Sequence, residues 1–90
     1  MEKVIITVVG RDTVGIIARI CTYLSDKHVN VEDISQTVVQ GYFNMMMIVD
    51  TSKSTIAFGD MAAEMDKIGG ELGMKIHCQR EEIFDRMHRI

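Results

Sequence analysis

Val4-Ile5-Ile6-Thr7-Val8-Val9-Gly10-Arg11-Asp12-Thr13-Val14-Gly15-Ile16-Ile17 is the stretch whose reading decides the fold. Six residues, five of them β-branched apolar and the sixth a threonine, form a strand by propensity. The run stops abruptly at Gly10-Arg11-Asp12-Thr13, which has the composition of a loop closing on a helix cap, with Asp12 or Thr13 as capping residue. Beyond it, Ile16, Ile17, Ile20, Cys21 and Leu24 paint one face of a helix from about Val14 to Lys27. Gly15 then falls in the first helical turn, where glycine costs about 1 kcal/mol relative to alanine.

Working outward, Val29 and Val31 open a second strand that continues through Ile34, Val38 and Val39. The parity breaks between Val31 and Ile34, which predicts a bulge near Glu32-Asp33. Gln40-Gly41-Tyr42 reads as a tight hairpin, and Phe43, Met45, Met47 and Val49 alternate along the return strand. A second helix is expected after Thr51 to Ser54, carried by Phe58, Met61, Ala62, Met65, Ile68 and Leu72. Gly69-Gly70 weakens its last turn and Gly73 is its C-cap. Met74, Ile76 and Cys78 alternate through a final strand. Residues 81–90 place Ile83, Phe84, Met87 and Ile90 at helical spacing, a short helical tail.

The order β-α-β-β-α-β predicts an α+β fold. It is the split βαβ plait of ferredoxin-like type, a four-stranded antiparallel sheet with both helices on one face, in one domain over residues 1–90. The other face of such a sheet is normally polar. If Val4, Ile6 and Val8 face the helices, Ile5, Val9, Met46 and Ile48 face away. Four apolar residues on central strands call for a second cover, from another subunit or from Phe84 and Met87 of the tail.

Composition narrows the class. With 90 residues and 47% hydrophobic content the chain is long and apolar enough for one modest core. A formal net charge of −3 provides no broad electrostatic footprint for direct nucleic-acid binding. The apolar run from Val4 to Val9 is too short to span a membrane and lacks a cleavage pattern. Two cysteines, Cys21 and Cys78, make no secreted disulfide scaffold, so a cytoplasmic protein is expected.

Few residues invite chemistry. A helix N-terminus leaves unpaired N–H groups and partial positive charge, so the Gly10–Gly15 loop is suited to a carboxylate or phosphate. Its glycine spacing is neither a Rossmann fingerprint nor a P-loop, and a capped turn explains the same residues without a ligand. His28-Val29-Asn30 reads as a turn, with Asn30 suited to a left-handed position. His77 and Cys78 alternate to opposite strand faces and cannot share a metal from there. Glu81, Asp85 and His88 fit helical spacing but equally describe a solvated face. No nucleophile arrangement, cofactor motif or metal site is expected, and the eight methionines read mostly as core filling, Met46 excepted.

The chain resembles the ACT-domain family of small regulatory ligand-binding modules, in particular its short stand-alone bacterial members. The stretch Val9-Gly10-Arg11-Asp12-Thr13-Val14-Gly15-Ile16-Ile17 is similar to the family's Asp-Arg-Pro-Gly-Leu-type turn, with Asp12, Gly15 and Ile16 aligned and the proline absent. Asn30-Val31-Glu32-Asp33-Ile34 resembles the start of strand two, and Ile83 to Ile90 resembles the tail of the stand-alone group, some of which are like the regulatory protein of the glycine cleavage system. The resemblance implies a non-catalytic module binding an amino acid or similar small carboxylate at a homo-oligomer interface, with a regulated protein as possible partner. By position, the ligand-binding candidates are Asp12, Thr13, Val14, Gly15 and Ile16, with Asn30 and Val31 across the site.

Two other readings compete. Acylphosphatases share the plait and hold phosphate with an arginine and a strand asparagine, types that Arg11 and Asn44 supply, but Asp12 in the same loop would repel a phosphate. A ligand-free structural or protein-interaction module needs no more than the capped loop.

Overall fold

The computed structural model describes residues 2–81; the tail expected over 81–90 lies outside them except for Glu81. Six elements follow one another: β1 (Lys3–Arg11), α1 (Ile16–Asp26), β2 (Asn30–Val39), β3 (Tyr42–Asp50), α2 (Phe58–Leu72) and β4 (Met74–Arg80). The strands form one sheet in the order β2-β3-β1-β4, antiparallel at every contact. This is the ferredoxin-like plait.

Alternation decides what is inside. Val4, Ile6 and Val8 of β1 and Phe43, Met45, Met47 and Val49 of β3 are buried against one face of α1 and one face of α2 in a single cluster. Ile16, Ile20 and Leu24 come from α1, and Met61, Met65 and Ile68 from α2, at the spacing that puts them on one side of each helix. Burying these side chains supplies the main driving force, at about 1.5–3 kcal/mol per large aliphatic residue.

The bulge is present. Val31 pairs with Val49 but Asp33 pairs with Ile48, so Glu32 is the extra residue. The shift turns Ile34 and Val38 to the same face as Val31, and lets the Glu32 carboxylate reach Lys3 Nζ at 3.2 Å. Gln40 and Gly41 both have positive φ, 51° and 82°, the backbone that a two-residue primed hairpin requires.

Several boundaries differ from the sequence reading, each for a local reason. The N-cap of α1 is Gly15, with φ 85° and no side-chain cap, so neither Asp12 nor Thr13 caps the helix and Gly15 lies before its first turn. The N-cap of α2 is Ala57, also without a side-chain cap, and the hydroxyls upstream serve the connecting loop instead: Ser54 Oγ donates to the Ile56 carbonyl at 2.9 Å. His28, φ 60°, takes the left-handed position expected of Asn30, which is already the first residue of β2. Gly73 is the C-cap of α2, φ 71°. Cys78 is half-buried on the core side and His77 exposed on the other, and burial pushes the Cys78 thiol up to about 11. Such a thiol is protonated and inert at neutral pH.

The sheet face turned away from the helices is mixed. Ile5 is only 5% exposed, Ile48 is half-buried, and Met46 and Val9 are 41% and 47% exposed. Val39 and Tyr42, paired with each other, extend this open apolar area toward the α1 loop, and the Arg11 guanidinium lies 5.6 Å from the Tyr42 ring centre. No helix of the described residues is long and apolar enough to cross a membrane.

Candidate functional site

The loop between β1 and α1 is held from the side by the β2–β3 hairpin. The Asp12 N–H donates to the Gly41 carbonyl at 2.9 Å, fixing the loop where the edge of the sheet turns. Val14 projects from the loop, 98% exposed, and Gly15 follows in left-handed conformation. The helix then begins: the Arg19 N–H donates to the Gly15 carbonyl at 2.9 Å. The N–H groups of Ile16, Ile17 and Ala18 precede that first intrahelical bond, no side chain caps them and no acidic residue occupies the first turn. The positive end of the α1 dipole is therefore not neutralised by its own helix.

Beneath these N–H groups is a hollow of about 250 Å³ whose wall includes Asp12, Thr13, Gly15, Ile17 and Phe43. Chemically it offers backbone donors for an anion, the Asp12 carboxylate for a cation, and the Phe43 edge for an apolar group. Among the described residues no lysine or arginine lines it. Of the seven candidate residues, Asp12, Thr13, Gly15 and Ile16 line the hollow, although the Ile16 side chain is buried in the core, while Val14 lies in the same loop but outside the lining. Gly41 and Phe43 belong to the same neighbourhood and were not singled out from the sequence. The hairpin reading of Gln40-Gly41 was the signal that would have located Gly41, had the loop contact been foreseeable.

Asn30 and Val31 are elsewhere in the same chain. Asn30 pairs with Asp50, level with Lys3, whereas the loop continues from Arg11, level with Tyr42 and Val39. At 3.3 Å per residue the two ends of β2 are about 25–30 Å apart. Within one protomer the structure does not bring these two residues to the loop. Arg11 and Asn44 sit on the face away from the helices, Arg11 against Tyr42, so they do not converge with the α1 N–H groups on a phosphate cradle.

The left-handed Gly15 gives a direct prediction. A Cβ there would meet nothing within 4 Å, so Gly15→Ala carries only the conformational penalty of about 1 kcal/mol. Urea denaturation is expected to show that loss with an unchanged slope; no loss would mean the residue is not held at positive φ.

Known proteins of similar sequence and structure agree with the fold. The ACT-domain family model matches residues 2–79. A UPF0237 protein of Bifidobacterium longum is 62% identical over 90 residues, covering 100% of both chains. Among solved structures, an ACT domain protein from Streptococcus pneumoniae superposes with TM-score 0.81 at 38% identity, over 93% of this chain and 94% of that one. A protein assigned as a glycine cleavage system transcriptional repressor superposes with TM-score 0.76 at 16% identity, over 88% of this chain and 45% of that one, a likeness of fold. With the plait, the Gly15-capped loop and a family match spanning most of its length, the chain belongs to the ACT-domain family of small regulatory ligand-binding modules.

Proposed function

We propose that the protein is a non-catalytic regulatory module that binds an amino acid, or a similar small carboxylate, between two copies of itself. The observation that carries this reading is the uncapped start of α1 beside Asp12. The free N–H groups suit a carboxylate and the Asp12 side chain suits an ammonium group, so the two charges of a zwitterion are matched within one hollow.

The second copy is argued from β2. It is an edge strand of ten residues, with one row of backbone groups unpaired in the sheet, and its helix-side residues Ile34 and Val38 are exposed, Val38 by 53%. Edge strands of this kind accept another strand. Antiparallel pairing of β2 with its own copy about a two-fold axis near Ser35 sets Asn30 and Val31 of the partner beside Val39 and Gln40. Those residues adjoin Gly41, which holds the Asp12 loop. Sheet extension is thus the arrangement that reunites the seven candidate residues.

Isothermal calorimetry of the full chain against the common amino acids tests the sensor. At least one is expected to bind with Kd at or below about 1 mM, equivalent to about −4 kcal/mol, and Asp12→Asn to weaken it. Absence of any such binding removes the sensor and leaves an oligomerising scaffold. Light scattering tests the assembly: the wild type is expected as a dimer or higher, and Val38→Lys, at an exposed edge position, as a monomer that has lost the ligand response. A ligand-free interaction module is favoured by one observation, that φ 85° at Gly15 explains the glycine without a ligand.

A further inference from the structure

At the end of the sheet remote from the α1 loop, a larger cleft of about 470 Å³ opens below the start of α2. That is within the range of about 300–1,000 Å³ usual for small-molecule sites. Val4 and Arg80 are cross-strand partners there, and alternation turns both to the helix side. The Thr51 N–H donates to the Glu2 carbonyl at 2.8 Å and closes one wall, while Phe58, the first residue of α2, forms another. Glu2 and Glu81 complete the rim.

The two cations at this cleft are used differently. Lys3 hydrogen-bonds to Glu32, which raises its pKa, and Asp50 and Glu81 add to the same effect, so its charge is already answered. Arg80 forms no ion pair with a carboxylate among the described residues. Its guanidinium carbon lies 4.8 Å from the centre of the Phe58 ring. Stacking on an aromatic face restrains the guanidinium and leaves its in-plane N–H edges available for bidentate recognition of a carboxylate. The hollow at the α1 loop has no such cation.

We propose that this cleft is a second small-molecule site, separate from the α1 loop, for an amphiphilic carboxylate that also carries an ammonium group. Arg80 takes the carboxylate, Val4 and Phe58 take the apolar body, and Glu2 and Glu81 take the ammonium group. The ligand class is a free amino acid with an aliphatic side chain, or a short peptide of the same chemistry. The site stands on its own residues and does not depend on the dimer.

Amide NMR spectra of the full chain, titrated with leucine and in parallel with isovalerate, test it. Saturable shifts are expected at the amides of Thr51, Phe58, Arg80 and Glu81 within about 10 mM probe, with leucine binding more tightly than isovalerate because only leucine offers an ammonium group. Arg80→Gln, at an exposed position, is expected to weaken leucine at least about tenfold while the thermal melt stays close to wild type. Asp12→Asn should leave these shifts intact. Absence of saturable shifts at these amides overturns the proposal, whatever occupies the cleft instead. So does an Arg80→Gln chain that binds like wild type, or isovalerate matching leucine. The α1-loop reading is read out separately, at the amides of Asp12, Gly15 and Gly41, so the failure of one site is distinguishable from the failure of the other.

Discussion

Ile6→Ala is expected to destabilise the protein by about 4 kcal/mol, the largest effect of any substitution considered. Ile6 is fully buried on β1, a central strand, between Met47 of β3 and Cys78 of β4. Truncation removes three carbons from the middle of the cluster, where neighbours on three elements hold the cavity open. The lost transfer energy and the cavity term therefore add, and the lost β-branch lowers strand preference further. A domain of this size is held by about 5–13 kcal/mol in total, so the loss is a large share of it. Thermal melting followed by circular dichroism is expected to fall by about 20 °C. A shift of only a few degrees would show that the sheet and helices close over the gap, contrary to the packing described.

Gly69→Ala is the second large effect, and its sign runs against helix propensity. Alanine is worth about 1 kcal/mol over glycine inside a helix, which makes Gly69-Gly70 look like a weak last turn. In the structure Gly69 is buried where α2 passes over the start of β4. A Cβ there would lie 2.6 Å from the Met74 carbonyl oxygen and 3.1 Å from Ile76 Cγ1. The first of these is backbone and cannot rotate aside, so the end of α2 must lift from the strand that it leads into. Overpacking of this kind costs about 1–3 kcal/mol, sometimes more, and a net loss of about 2 kcal/mol is expected. Gly70 is the internal control: a Cβ there meets nothing within 4 Å, so Gly70→Ala should stabilise by about 0.5–1 kcal/mol. Parallel urea titrations of the two variants should move the midpoint in opposite directions. Movement in the same direction would contradict the close approach of α2 to β4.

These two glycines show where sequence reading works and where it stops. Period and parity are local properties, so the six elements, the bulge at Glu32, the Gln40-Gly41 hairpin and the Gly73 cap were all legible from residue order. What a glycine touches is set by how the chain folds back: Met74 is only five residues beyond Gly69, yet neither period nor parity shows that its carbonyl comes to lie against the helix. The same limit explains Gly15. Its neighbours Asp12 and Thr13 have capping side chains, and the sequence pattern assigned them the cap. The hairpin binds the Asp12 backbone through Gly41 and sets the loop so that glycine itself occupies the N-cap.

The site was legible to the same degree. Asp12 to Ile16 are contiguous, so the end of the loop and the start of α1 gather them, while the placement of Asn30 and Val31 at the far end of β2 follows from strand register, which residue order does not show. The Arg80 cleft was invisible, because its members come from β1, β4, the loop after β3 and the start of α2, and meet only once the plait has closed.

The bare rim of β2 has a consequence for the chain in concentrated solution. From Ile34 to Val39 the strand reads Ile-Ser-Gln-Thr-Val-Val, six residues without a charge or a proline, rich in β-branched types. That composition is the signature of a segment that stacks into cross-β fibrils. Unlike most natural rims it has no lysine gatekeeper across this span. A preparation held apart as single molecules therefore displays a ready template for amyloid growth. Capping that template is a service a bound neighbour performs simply by being there.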